Sequence, residues 1–167
     1  MYKRQLVEPA RQQRVEYAED AVELALSWTG GYPFYIQQLG KHAWNLADRS
    51  PIGADDIEAA MPAAQGALDT SIYEVRVQRA TDQERRYMRA MAELGEGPYK
   101  SGAVAAALGR KTAAVSMIRQ RLLDKGLVYA TEDYGYVDFT VPRFGEFMVR
   151  YMPYRARRPT RRSKRSG

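Results

Sequence analysis

Apolar positions recur at helical spacing through the first half of the chain. Tyr17, Ala21, Leu24 and Trp28 are separated by 4, 3 and 4 residues, which puts them on one stripe of an α-helix. Thr29-Gly30-Gly31 interrupts the stripe. Pro33 then sits where a first helical residue belongs, because its missing N–H would have no partner there. Ile36, Leu39, Ala43 and Leu46 form the stripe of a second predicted helix, and Ser50-Pro51-Ile52-Gly53 reads as a loop. Asp55 and Asp56 open a short helix through Met61, with their charges favourably placed in its first turn. Ala63 to Arg79 is predicted helical, against the pull of Gly66 and the Thr70-Ser71 pair. Met1 to Gln5 fit no element and resemble the spurious start of a truncated reading frame.

A second pattern begins at Thr81. Thr81-Asp82-Gln83-Glu84 is a capping box, in which the threonine hydroxyl accepts from the Glu84 N–H while Glu84 reaches back. The helix it starts runs through Tyr87, Met91 and Leu94 to a glycine stop at Gly95. Ser101 is placed to cap a short alanine-rich helix ending at Leu108-Gly109. Thr112 is placed to cap another, with Val115, Ile118 and Leu122 as its buried stripe and Gly126 as its stop. Leu127 to Ala130 and Tyr136 to Val141 read as two strands of a hairpin around the turn Glu132-Asp133-Tyr134-Gly135. Pro142 opens a last helix with Phe144, Phe147, Met148 and Tyr151 on one face, and Pro153 ends it.

The order helix, short helix, tight turn, helix, hairpin is that of a winged helix-turn-helix, with Gly109 at the sharp turn. The predicted fold class is mainly α: a small helical domain over residues 15–79, then a winged helix-turn-helix with one β-hairpin over 80–153.

Charge sharpens the division. Residues 15–73 carry two basic and nine acidic side chains, whereas residues 154–167 carry seven basic and none acidic. The formal net charge of +6 over 167 residues therefore belongs to the tail. That tail has Tyr154 and Ala156 as its apolar side chains and is expected to be a disordered basic arm able to hold phosphates. A solubilising end is the plainer alternative.

Composition removes several chemistries. There are no cysteines and one histidine, His42, so a disulfide framework, a thiolate nucleophile and a multi-histidine metal site are excluded. No apolar run approaches the roughly 20 residues of a membrane span, and a cytoplasmic location without membrane partners is expected. Leu108-Gly109-Arg110-Lys111-Thr112 echoes the end of a phosphate-binding loop, but Val104 occupies the place of the required first glycine and Arg110 separates Gly109 from Lys111. Asp55, Asp56 and Glu58 read as a solvated helix start rather than a metal site. His42 reads as a partly exposed structural side chain. No catalytic residues are identified.

Thr-Gly-Gly-Tyr-Pro-Phe-Tyr-Ile-Gln-Gln at 29–38, followed by Gly40-Lys41-His42-Ala43-Trp44, resembles the lid segment of prokaryotic AAA+/STAND-type ATPases related to origin-recognition and cell-division-control proteins. Arg85-Arg86-Tyr87-Met88-Arg89-Ala90-Met91-Ala92 resembles the opening helix of the winged-helix domain that follows such a lid. Asp138-Phe139-Thr140-Val141-Pro142-Arg143-Phe144 resembles its wing and closing helix. The resemblance implies that Gly31, Tyr32 and Pro33 approach a bound nucleotide when a nucleotide-binding core is present. It further implies that ATP and magnesium are cofactors of a longer parent, with no cofactor held by this chain alone. The Walker A and Walker B segments of that family are missing from the sequence, so the chain is expected to be the non-catalytic C-terminal part of such a protein. No second-sensor arginine follows Pro33 before Arg49.

On a wheel of about 100° per residue the buried face of the Thr112 helix is opposed by Ala113, Ser116, Met117, Gln120 and Asp124. Entry into a major groove would bring Ser116 and Gln120 to base edges. Lys111, Thr112 and Arg121 would meet phosphates, joined by Arg155, Arg157 and Arg158 of the tail. Double-stranded DNA is the expected partner. The competing reading is a regulatory domain that packs on an ATPase core without touching DNA, which would suit Ala113, Met117 and the acidic turn.

Overall fold

The computed structural model describes residues 2–153 and is mainly helical, with one small antiparallel sheet. The chain divides into two compact units, the first ending at Ala80 and the second starting at Thr81.

In the first unit, helices α1 (Tyr2–Gln12), α2 (Glu19–Thr29), α3 (Pro33–Leu46) and α4 (Ala54–Leu68) surround one core. A π-helical segment (Asp69–Glu74) and the short α5 (Val75–Gln78) extend α4. Ala21, Ala25, Ala43, Ala60 and Ala64 sit in the core among Ile36, Leu39, Ile52 and Ile57. Small side chains on facing helices let their axes approach closely, so the larger ones interdigitate. The loop residue Ile52 pairs with the extended segment around Tyr17, donating its N–H to Glu16 O at 2.8 Å and accepting from Ala18 N–H at 2.9 Å.

Several sequence expectations change here. Tyr2–Gln12 is a helix, so the N-terminal residues are part of the fold and the first unit begins well before residue 15. Leu6 and Ala10 reach the core, and α1 packs on α3 where Gly40 leaves room. A Cβ at Gly40 would lie 2.9 Å from Leu6 Cδ1. The buried face of α2 is Ala21, Val22, Ala25 and Thr29, so Leu24 and Trp28 lie at its edge and Leu46 of α3 is exposed. Pro62 does not end a helix at Met61. It lies on the exposed face of α4, where water can take the Glu58 carbonyl, while Ile57, Ala60, Ala64 and Leu68 continue inward.

Beyond Leu68 the buried positions step by five to Tyr73 and by four to Val77, because the intervening turn is π-helical. Two hydroxyls serve carbonyls in this widened turn: Thr70 Oγ1 donates to Gly66 O at 3.1 Å and Ser71 Oγ to Ala67 O at 2.5 Å. Tyr73 then meets Tyr35 of α3, their hydroxyls 2.8 Å apart in the core.

The second unit is built on α6 (Asp82–Glu93), nearly all of whose second and third turns are buried. It packs on α7 (Ser101–Ala107), α8 (Thr112–Asp124) and α9 (Phe144–Tyr151). The capping box forms: Thr81 N–H donates to Glu84 Oε2 at 2.8 Å, and Glu84 N–H to Thr81 Oγ1 at 3.4 Å. The expected hairpin is present as β2 (Val128–Ala130) and β3 (Tyr136–Phe139), with Val128 opposite Phe139 and Ala130 opposite Val137. A third strand, β1 (Tyr99–Lys100), pairs antiparallel with β3 and puts β3 in the middle. Two residues give too short a pattern for sequence periodicity to reveal.

Neither expected cap serves α7 or α8. Ser101 and Thr112 are the first helical residues, preceded by Lys100 and Lys111. The Ser101 N–H instead donates to Gly135 O at 2.8 Å, tying α7 to the hairpin turn. The helix ends do form as the glycines foretold. Gly109 adopts φ 65°, its N–H bonds to Ala106 O, and the Arg110 N–H bonds to Ala105 O at 2.9 Å, a Schellman closure that turns the chain sharply into α8. Pro142 precedes α9 rather than starting it, and Arg143 at its N-cap takes a left-handed backbone.

Candidate nucleic-acid interface

Helix α8 inserts Val115, Ile118 and Leu122 into the core of the second unit, which fixes the opposite face toward solvent. Lys111, Thr112, Ser116, Gln120 and Arg121 are all exposed there, with Met117 between them at 64%. The arrangement sorts the basic residues of this region. Lys125 is taken by Glu84 at 2.6 Å, and the Arg119 Nε is buried. Arg110, Lys111 and Arg121 remain exposed without an ion pair among the described residues.

The base-reading candidates are partly occupied. Ser116 Oγ donates to Ala113 O at 2.9 Å, within its own helix. Gln120 Nε2 donates to Asp124 Oδ1 at 2.9 Å, a bond on the exposed face that a base edge would have to replace. Glu132 and Asp133 are exposed in the hairpin turn beside Tyr134, which is fully exposed. Their charge disfavours a phosphate at that tip. Arg155, Arg157 and Arg158 lie outside the described residues.

The frame behind α8 is electrostatic as well as apolar. Glu84 is 1% exposed. Burial alone would raise its carboxyl, but the hydrogen bonds from Lys125 and Thr81 and the charge of Lys125 outweigh it, holding Glu84 below the usual carboxylate range. At the far side of α6, Arg89 donates through Nε to Met152 O at 2.7 Å and pairs with Glu93 at 2.6 Å, which anchors the end of α9. Nothing in the local pattern points to Arg89 as a buried tie, since its partner carbonyl is 63 residues away.

In the first unit, the turn Gly30-Gly31-Tyr32 leads into α3 as its residues suggest. Gly30 and Gly31 take φ 59° and 76°. Thr29 is buried and its hydroxyl donates to Ala25 O at 2.7 Å, so it faces its own helix rather than a ligand. Tyr32 and Pro33 are exposed, but Gly31 lies under the Tyr2 ring of α1: a Cβ there would sit 3.0 Å from Tyr2 Cδ2. Sequence reasoning missed this cover because it gave α1 no structure. His42 is half-buried, as expected, and Asp56 turns back to accept from Gly53 N–H at 2.9 Å. Among the described residues, no three His, Cys, Asp or Glu side chains gather as a metal site, and no helix is long and apolar enough to cross a membrane.

No curated protein matches the chain. Residues 70–148 match a family model described as a domain of unknown function (DUF8462), a span that begins in the π-helical segment and ends within α9.

Proposed function

We propose that the second unit is a winged helix-turn-helix that binds double-stranded DNA through α8. The observation that carries this reading is the row of exposed cations, Arg110, Lys111 and Arg121, flanking the polar tips of Ser116 and Gln120. Cations of this kind supply phosphate affinity, and the side chains between them supply base contacts. Lys111 and Thr112 stand at the start of α8, where helix N–H groups favour phosphate.

The first unit is, in this reading, the lid of an AAA+/STAND-like ATP-binding protein, and the chain is a cytoplasmic, non-catalytic part of it. Gly31, Tyr32 and Pro33 contact nucleotide once a core supplies the phosphate loop. The chain alone turns over no ATP. The resemblance of residues 29–44 supports this assignment, and the Tyr2 ring over Gly31 adds a condition to it: that side chain must swing aside before a nucleotide reaches the glycine.

A second reading has its own observation. Met117, at the centre of the exposed face of α8, is apolar and unusually open. It suits a regulatory surface that packs on an ATPase core.

The test is a salt titration of binding to a random DNA duplex, with the chain ending at Pro153 run beside the full chain. Three phosphate contacts predict that log K falls with log salt at a slope of about −2 to −3. Salt-sensitive binding that survives removal of the tail supports α8. Binding that disappears with the tail removes the DNA assignment from the folded body and favours the regulatory surface.

A further inference from the structure

A hollow of about 160 Å³ lies where α6 meets α8 and the turn that precedes it. Leu108 and Ile118 give it an apolar wall, and Gln83, Arg86 and Arg110 complete the lining. These three polar residues are all exposed, so a solute reaches them without any opening of the core. No carboxylate lines the hollow, and neither arginine has an ion-pair partner among the described residues.

Two cations gathered at one hollow repel each other, and the apolar wall strengthens the repulsion by displacing water. An anion between them turns that cost into attraction. The acidic side chains of α6 and α8 are engaged elsewhere. Asp82 pairs with Arg85 at 3.6 Å, Glu84 is buried against Lys125, Glu93 pairs with Arg89, and Asp124 accepts from Gln120. Arg121, exposed on α8 three residues beyond Ile118, adds to the positive field. The planar fork of arginine matches the oxygens of a phosphoryl group, and the Gln83 amide supplies a further donor.

The opposite flank of α8 differs. On a helical wheel, Ile118 and Arg121 fall to one side of Val115 and Leu122, and Thr112, Ser116 and Arg119 to the other. That other side faces the hairpin, where Lys100 and Arg119 are balanced by Glu132 and Asp133. The helix therefore has one flank of positive charge and one of balanced charge.

We propose that Arg86 and Arg110, helped by Gln83, hold one phosphoryl group in this hollow. Where α8 lies on a duplex, the reading on which this placement rests, that group is a backbone phosphate on the flank away from the hairpin. Helix α6 then shares the DNA backbone with α8.

The full chain is titrated with a random duplex and, at constant ionic strength, with inorganic phosphate followed by amide NMR shifts. Both arginines are exposed, so their replacement leaves the core intact. Arg86→Gln should weaken the duplex about fivefold whatever its sequence. Adding Arg110→Gln should cost less than its single loss implies, because both guanidinium groups serve one phosphate. Additive losses would overturn the shared clamp. Unchanged duplex affinity in Arg86→Gln, with saturable phosphate shifts at Gln83, Arg86 and Arg110 that this variant abolishes, would keep the site and assign it to a free phosphate. No effect in either titration would overturn the proposal. Weaker duplex binding by Arg121→Ala in the same series would then show that α8 meets DNA without this site.

Discussion

The Glu84 carboxylate lies 2.6 Å from the Lys125 ammonium, joining the first turn of α6 to the C-terminal end of α8. Glu84 is buried while Lys125 is about a third exposed, at 31%. Losing either partner therefore has unequal effects. Lys125→Met strands a buried charge and should cost about 2 kcal/mol, less than for a fully buried pair because water reaches the Lys125 position. Denaturant unfolding measures it.

The same pair sets the acid limit of the second unit. The Glu84 carboxyl is held below its ordinary value when folded. Its contribution is thus complete above the unfolded carboxylate range, about pH 4–5, and is lost as pH falls through the lower folded value. Glu84→Gln should flatten the acid side of the stability profile while lowering stability near neutrality. Equal acid sensitivity in both proteins would rule this out.

Tyr99 sets a limit at the other end. Burial raises its phenol to about 12, with Asp138 and Glu96 adding to the effect. Its hydroxyl donates to Gly95 O at 2.9 Å. The neutral phenol stabilises the fold in full below the unfolded tyrosine value of about 10. That contribution is lost as pH rises through the folded value. Tyr99→Phe should be destabilised by about 1 kcal/mol at neutral pH, and the gap should close in alkali. Melting temperatures across that range measure it.

In the first unit, the Tyr35–Tyr73 hydroxyl pair ties α3 to the π-helical segment. The rings also pack edge to face, 6.4 Å between centroids. Phe at either position keeps the ring contact and removes one oxygen. A double-mutant cycle should give a coupling of about 1 kcal/mol, with the double variant more stable than the sum of the single losses implies. Additive losses would show that the hydroxyls act independently.

On the proposed DNA surface, residues divide by role. Arg121→Ala should weaken binding to all duplexes alike and reduce the salt slope by about 1. Gln120→Ala should leave the slope unchanged and alter preference among sequences. A salt slope unmoved by Arg121→Ala would take that side chain out of the phosphate contacts.

What the sequence made legible was local. Thr81 and Glu84 are three residues apart, and Gly109 and Gly126 each follow the last turn of a helix, so spacing alone carries their meaning. The alternation of Val137 and Phe139 likewise announces a half-buried strand. The ties that lock the units are not local. Glu84 meets Lys125 across 41 residues, Tyr35 meets Tyr73 across 38, and Arg89 reaches Met152 across 63. Each looks like a surface charge or a core ring until folding supplies its partner. The exposed face of α8 could be read from a helical wheel, but the hollow at its flank could not, because Arg86 comes from α6 and Arg110 from the turn before α8. α1 was missed because its polar residues and Pro9 obscure two inward positions, Leu6 and Ala10.

The step of five between Leu68 and Tyr73 gives the first unit a tolerance of chain length. An α-helix presents a given face after three or four residues, so the widened turn accommodates one residue that the register does not require. It has the form of an insertion absorbed into a continuous helix. Deleting Thr70 would restore a step of four and let α4 run on into Tyr73 and Val77, so the shortened chain should still fold. Deleting Gln38 from α3 would instead rotate Leu39 and Ala43 away from the core, and no neighbouring turn can take up the slack. Within the run from α4 to α5, the capacity to gain or lose a residue lies in that widened turn.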